Sequence, residues 1–344
     1  MKIDFDLSTI KITPLLDTLV LEDISDQEYF SEKYSNRISN SRLGLLKSKG
    51  AKAFFNNEKL GFNQSFEFGS NLHALTLEPE SYELIEGVNK PTAKAGLVAD
   101  WLYKGEGTFP SDDDIKVASI KCSYYKDKLT QKRIDEFRLK AEPYWKQRFL
   151  YETKNPKSDK IRIFTDEKSQ TLLKNCLNSL NNNQQIQELL HPSGLTEDPY
   201  SACERTILMD IKVDIPGYDS VIYKFKSKLD NFSIDKETNT ITVNDLKTTS
   251  RLANEFGNVV DYYSYNREIA IYSWLLSYCS EKFFNMSKPN IKGNFLVIST
   301  IPEYNSLVYP MTPELYRKGF KEFIYLLRVV AYLNIIKGYE FGSN

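Results

Sequence analysis

The segment from Ser220 to Thr249 constrains the fold of this chain more than any other. SVIYKFKSKLDNF (220–232) and NTITVNDLKTT (239–249) are rich in β-branched and aromatic residues in alternation, and DKETNT (235–240) between them supplies turn formers. This pattern predicts a β-hairpin centred between Glu237 and Thr238. In a bulge-free register Ile234 faces Ile241, Phe232 faces Val243, Asp230 faces Asp245 and Lys228 faces Lys247. All eight side chains then share one side of the sheet, because side chains alternate with period two. Opposed Cβ atoms lie about 4.5–5.5 Å apart, so two carboxylates there repel unless a cation lies between them. A divalent ion with oxygen ligands at roughly 2.0–2.6 Å fits such a gap. The same four charges would also be satisfied as a solvated salt-bridge square of little energetic worth.

The flanking sequence places this hairpin in an α/β setting. RTILMDIKVDI (205–215) reads as a strand before it, Tyr262 to Phe283 as a helix after it, NIKGNFLVIST (290–300) as a further strand, and Pro313 to Lys337 as a closing helix. The order predicts a mixed sheet with helices around it. Upstream of Pro199 the texture is mainly helical. Residues 1–60 carry helix signals, with Ser41 as an N-cap ahead of an apolar and basic run. FEFGSNLHALTLEPE (66–80) reads as a helix carrying Leu72, His73 and Leu75, Ile115 to Leu150 is mostly helical, and Thr165 to Leu190 is a polar helix. GEGTFPSDDD (105–114), ETKNPKSDK (152–160) and HPSG (191–194) read as loops. The division expected is a mainly helical part, 1–195, and a core, 196–344, together forming one compact unit.

Composition removes several function classes. The 344 residues hold 45 Lys plus Arg against 46 Asp plus Glu, which excludes a globally basic nucleic-acid coat protein but not a local basic groove. Cys122, Cys176, Cys203 and Cys279 are scattered without a CxxC pair, which argues against a zinc knuckle and points to reduced thiols in a cytosolic compartment. MKIDFDLSTIKI lacks the apolar core of a secretory signal, and Phe323 to Ile336 is interrupted by Arg328 and Asn334 short of a membrane span. A soluble protein, cytoplasmic in a bacterial or phage-infected cell, is expected.

Asp230 followed by Asp245-Leu246-Lys247 resembles the D…(D/E)xK pattern of the PD-(D/E)XK nuclease superfamily, and Thr248-Thr249 extends the likeness to its exonuclease branch. FGSNLHALTLEPE is similar to the G-x-x-x-H helix of the RecE-like exonucleases (the exodeoxyribonuclease VIII group). SNSRLGLLKSKGAKAFF resembles that group's opening serine-containing helix, and YYSYNREIAIYSW (262–274) the helix after its DxK strand. The resemblance runs in order from about residue 36 to 275. It implies a restriction-endonuclease-like core and a Mg²⁺-dependent enzyme, with Mn²⁺ as a substitute, that digests linear double-stranded DNA from its ends in recombination. Single-strand- or structure-specific endonucleases and non-catalytic DNA-binding modules share this fold. A single-strand annealing protein is the implied partner and a homo-oligomer the implied assembly, and a phage or prophage origin suits the role.

By the same resemblance His73, Asp230 and Asp245 would ligate the metal, with the Leu246 carbonyl as a further ligand. Lys247 would orient or activate the attacking water, and Glu204 would support a second metal or contact the DNA backbone. The group's post-motif helix often reads Q-x-x-x-Y, whereas Glu268 precedes Tyr272 here, so position 268 stays outside the expected catalytic set. Lys224, Lys226 and Lys228 alternate on the strand leading to Asp230. They read either as a solvated edge face or as a phosphate-tracking surface, with Lys228 the foremost DNA contact. The basic KCSYYKDKLTQKR (121–133) reads equally as a DNA contact or an exposed helix, and His191 as a surface residue.

Overall fold

A computed structural model describes residues 5–58, 63–105, 109–124, 129–156, 158–192 and 202–341. Parts of the expected loops 105–114, 152–160 and 191–194, and of the basic segment 121–133, lie outside these. In chain order the described strands are β1 (Lys11–Glu22), β2 (Tyr82–Asn89), β3 (Ile161–Thr165), β4 (Ala202–Asp214), β5 (Val221–Asp235), β6 (Thr240–Thr249), β7 (Asn290–Ser299) and β8 (Ser306–Pro310). Two compact units divide the chain, residues 1–60 with 181–344, and residues 61–180. They cut it differently from the expected parts 1–195 and 196–344.

The first unit is a six-stranded mixed sheet in the order β1-β4-β5-β6-β7-β8. Only β6 and β7 run parallel; the other neighbours are antiparallel. The hairpin alternation is realised in the expected register, with Ile234 opposite Ile241 and Phe232 opposite Val243. The Asp235 carboxylate accepts from the Thr238 backbone N–H at 3.0 Å and from the Thr238 hydroxyl at 2.6 Å, which closes the turn. A parallel pair needs a crossover, and the helix Tyr265–Lys282 provides it between β6 and β7. The helix Pro313–Ala331 lies against that crossover helix. Gly319 permits the approach, since a Cβ there would lie 2.3 Å from the Asn266 carbonyl oxygen. The apolar face of the sheet and both helices form one core through Phe225, Phe232, Leu275 and Phe323, each at most 1% exposed.

The first sixty residues differ from their helical expectation. Lys11–Glu22 is an edge strand on β4, with an irregularity between Leu15 and Val20, and Pro14 is tolerated because an edge strand leaves one side unpaired. The following helix, Asn40–Lys49, is capped by Ser39, whose hydroxyl accepts from the Arg42 N–H; Ser41 lies inside it.

In the second unit β2 and β3 pair in parallel, and neither was anticipated from the sequence. The helix Gln64–Leu77 matches the expected one, and Gln131–Lys154 continues through Pro143. This unit has its own core, including Ile85, Val98, Phe137, Tyr144 and Phe164. The four cysteines are free, and no helix among the described residues is long and apolar enough to cross a membrane.

Candidate active site

The β5–β6 ladder ends at Asn231 opposite Asn244. Beyond that pair the strands part, β5 remaining on β4 and β6 on β7, where Asp245 neighbours Phe295 and Lys247 neighbours Val297. At the fork a side chain replaces the ladder: the Leu246 N–H donates to Asp230 Oδ2 at 2.8 Å. Asp230 is thereby tied to the strand that carries Asp245. An amide chain secures the last rung, with Asn294 donating to Asn244 at 3.0 Å and Asn244 to Asn231 at 2.8 Å.

The expected opposition of Lys228 and Lys247 does not occur, because the strands have already separated. Lys228 lies opposite Thr206 on β4, and its ammonium sits 2.5 Å from Asp26 and 2.8 Å from Glu204. Glu204 lies where the β4–β5 register would place it beside Asp230, between the pairs Cys203–Asn231 and Arg205–Leu229. Its backbone is left-handed, with φ +57°, a conformation costly for a residue with a Cβ. Carboxylate oxygens of Glu204 and Asp230 lie within 4.8 Å of each other. Burial, and then the Asp230 charge, push the Glu204 carboxyl up to about 8 against the pull of Lys228.

Asp245 is fully buried, and its Oδ1 accepts no hydrogen bond among the described residues, while its Oδ2 lies 2.7 Å from the Lys247 ammonium. Burial raises this carboxyl well above the usual range, with Asp230 and Glu268 adding to burial and Lys247 opposing it. Lys247 is also 3.0 Å from Glu268 and lies over the Tyr265 ring at 5.2 Å. Burial favours its neutral form, but Asp245, Glu268 and Asp230 outweigh burial and hold it protonated, well above an ordinary lysine. Glu268 accepts from the Tyr272 hydroxyl at 3.2 Å and bonds the Asn40 side chain. Although burial disfavours its charge, Lys247 holds its carboxyl below the usual value. The E-x-x-x-Y spacing set aside in the sequence thus supplies the second anchor of Lys247. Asp26, Asn40 and Tyr265 had no sequence signal of their own.

The three alternating lysines do not form one surface. Lys224 is exposed, but Lys226 is buried under the helix Asp26–Tyr29, donating to the Tyr29 carbonyl at 2.7 Å with its ammonium 4.1 Å from the Tyr29 ring. Both sequence readings fail at Lys226, because β5 is an interior strand whose polar face is covered. Leu246 is fully buried, and its N–H is the donor to Asp230. His73 is half-buried on Gln64–Leu77, in the second unit. His191 is exposed, as expected, and caps the helix Gln184–Leu190.

Five carboxylates, Asp26, Glu204, Asp230, Asp245 and Glu268, gather here around two ammonium groups, Lys228 and Lys247. The paired Glu204 and Asp230 carboxylates and the unsatisfied Asp245 oxygen are hard oxygen donors, the kind a divalent cation takes.

No family model matches the chain, and no curated protein matches it. Among solved structures it is similar to a candidate exonuclease from Eubacterium rectale, at 10% sequence identity and a TM-score of 0.33, over 80% of this chain and 86% of the other.

Proposed function

We propose that this protein is a metal-dependent deoxyribonuclease of the PD-(D/E)XK type, hydrolysing phosphodiester bonds from the ends of linear double-stranded DNA. The observation that carries this reading is the fork of β5 and β6, where Asp230 is tied to the Leu246 N–H and Asp245 is buried with an unsatisfied oxygen beside Lys247. Asp230, Asp245 and Glu204 would hold Mg²⁺, or Mn²⁺ in its place. The Leu246 carbonyl and His73 join this set on the strength of the sequence motif. A bound divalent ion would neutralise charge on the phosphate and lower the pKa of a coordinated water.

The chain's own contribution centres on Lys247. Its ammonium is fixed from two sides by Asp245 and Glu268, so it cannot drift as an exposed lysine does. A pre-positioned cation of this kind stabilises the negative charge that builds on the phosphoryl oxygens in the transition state. Lys228 acts through Glu204, its ammonium 2.8 Å away opposing the burial and the Asp230 charge that push that carboxyl up. Action on recombination intermediates with an annealing partner, and assembly as a homo-oligomer, belong to the same proposal.

The test uses purified protein with end-labelled linear duplex and closed circular duplex, with and without Mg²⁺. Loss of the linear substrate alone, and only with metal, is the expected result. Cutting of the circle would replace the exonuclease with an endonuclease, and no cleavage of either would end the nuclease reading.

A further inference from the structure

Next to Lys247 the surface carries aromatic rings that the proposed chemistry does not use. Tyr262 is 79% exposed and Tyr263 57% exposed, in the turn that precedes the crossover helix. The two rings meet edge-on at 4.9 Å, and Tyr263 lies 5.4 Å from Tyr265 at an interplanar angle of 32°. Tyr265 in turn stacks on Phe256 and covers the Lys247 ammonium. A continuous row of rings therefore leads from the candidate catalytic lysine to solvent.

The turn that presents these rings is firmly held. Ser264 is left-handed, with φ +57°, a strained state for a residue with a side chain. Its hydroxyl accepts from Lys47 at 2.7 Å and donates to Glu322 at 3.1 Å. Asp261 is ion-paired with Lys318 and accepts from Asn266, and the Tyr263 N–H bonds the Val259 carbonyl at 3.0 Å. Two tyrosines on a strained, anchored turn lose little further conformational freedom when something stacks on them.

We propose that Tyr262 and Tyr263 form a stacking platform for the unpaired terminal nucleobases of the DNA substrate, seating the strand end beside Lys247. The proposal rests on the nuclease reading above and names how that site would grip its substrate. Bases suit such a platform because each has a π-face, so stacking is insensitive to sequence. The row's continuity with Lys247 favours nucleic acid over a protein partner as its occupant.

The experiment uses the full chain in Ca²⁺ with duplexes carrying 2-aminopurine in a short unpaired end. The double variant Tyr262→Ala/Tyr263→Ala should lose end affinity by about 5- to 150-fold, the range expected for one stacked base, and lose the fluorescence quenching. Tyr263→Phe should retain both. Hydrolysis of bis(p-nitrophenyl) phosphate in Mn²⁺, which needs no base stacking, should be unchanged in all variants. Wild-type affinity and quenching in the double variant would overturn the platform, as would an altered sedimentation coefficient with DNA affinity intact, which would assign the rings to a protein contact. Failure of the nuclease reading shows separately, as wild-type protein that cleaves neither DNA nor the small diester.

Discussion

Lys247 on β6 and Glu268 on the crossover helix form a 3.0 Å ion pair, and this pair couples the motif lysine to a residue twenty-one positions further along the chain. With Asp245 on its other side, the ammonium has one position available to it. Glu268→Gln removes the charge and keeps the shape. It should lower single-turnover cleavage by about tenfold or more, the cost of weakening one charge-assisted hydrogen bond. DNA affinity in Ca²⁺ should hold. Lys247→Ala should lower the rate far more, also without loss of binding. Equal rates in Glu268→Gln and wild type would remove Glu268 from the site.

Lys228→Ala tests whether that lysine serves Glu204 or DNA. Removing it deletes a charge-assisted contact to Glu204 and drives that carboxyl further towards its neutral form, at a cost of about 2 kcal/mol. A lower thermal midpoint with an unchanged salt dependence of DNA binding is expected. A salt slope shallower by about one would instead show a phosphate contact.

Lys226 supplies a pH signature of its own. Burial, with Arg42 and Arg37 nearby, pulls its ammonium down to about 8 from 10.5. Between those values the unfolded chain binds more protons than the native state, so stability rises with pH across the window. Denaturant melts from pH 7.5 to 10.5 should show the wild type gaining on the order of 2–3 kcal/mol relative to Lys226→Met. Parallel curves would mean that this lysine is charged in the native state.

His73→Ala separates a ligand from a packing residue. Weaker Mn²⁺ binding by titration, with the thermal midpoint of the metal-free protein unchanged, is expected. A lowered midpoint with unaltered metal affinity would make His73 structural.

Much of the sheet unit was legible because its signals are local. Ile234–Ile241 and Phe232–Val243 follow from alternation around one turn, and β4 to β7 and the two long helices after Pro199 follow from their periods, whereas the short β8 gave no signal. The fork was not legible. Where β5 leaves β6 depends on the competing claims of β4 and β7, and no residue at 230 or 245 announces that competition. Lys226 was misjudged for the same reason, since a lysine in an alternating strand reads as exposed until another element covers it. β1 was missed because an edge strand needs only one apolar face, and its polar and proline positions dilute the pattern. Glu268 was visible as a departure from Q-x-x-x-Y, but only three dimensions show that its carboxylate reaches Lys247.

The pairing of Lys11 with Asp214 spans the whole 61–180 unit. On a ribosome adding about 5–20 residues per second, β1 must wait roughly 10–40 s for the strand it pairs with. The 61–180 unit, whose core is its own, can finish folding within that interval. The edge strand's apolar residues, Leu19 among them, meanwhile stay uncovered. Synthesis order thus makes closure of the six-stranded sheet a late event.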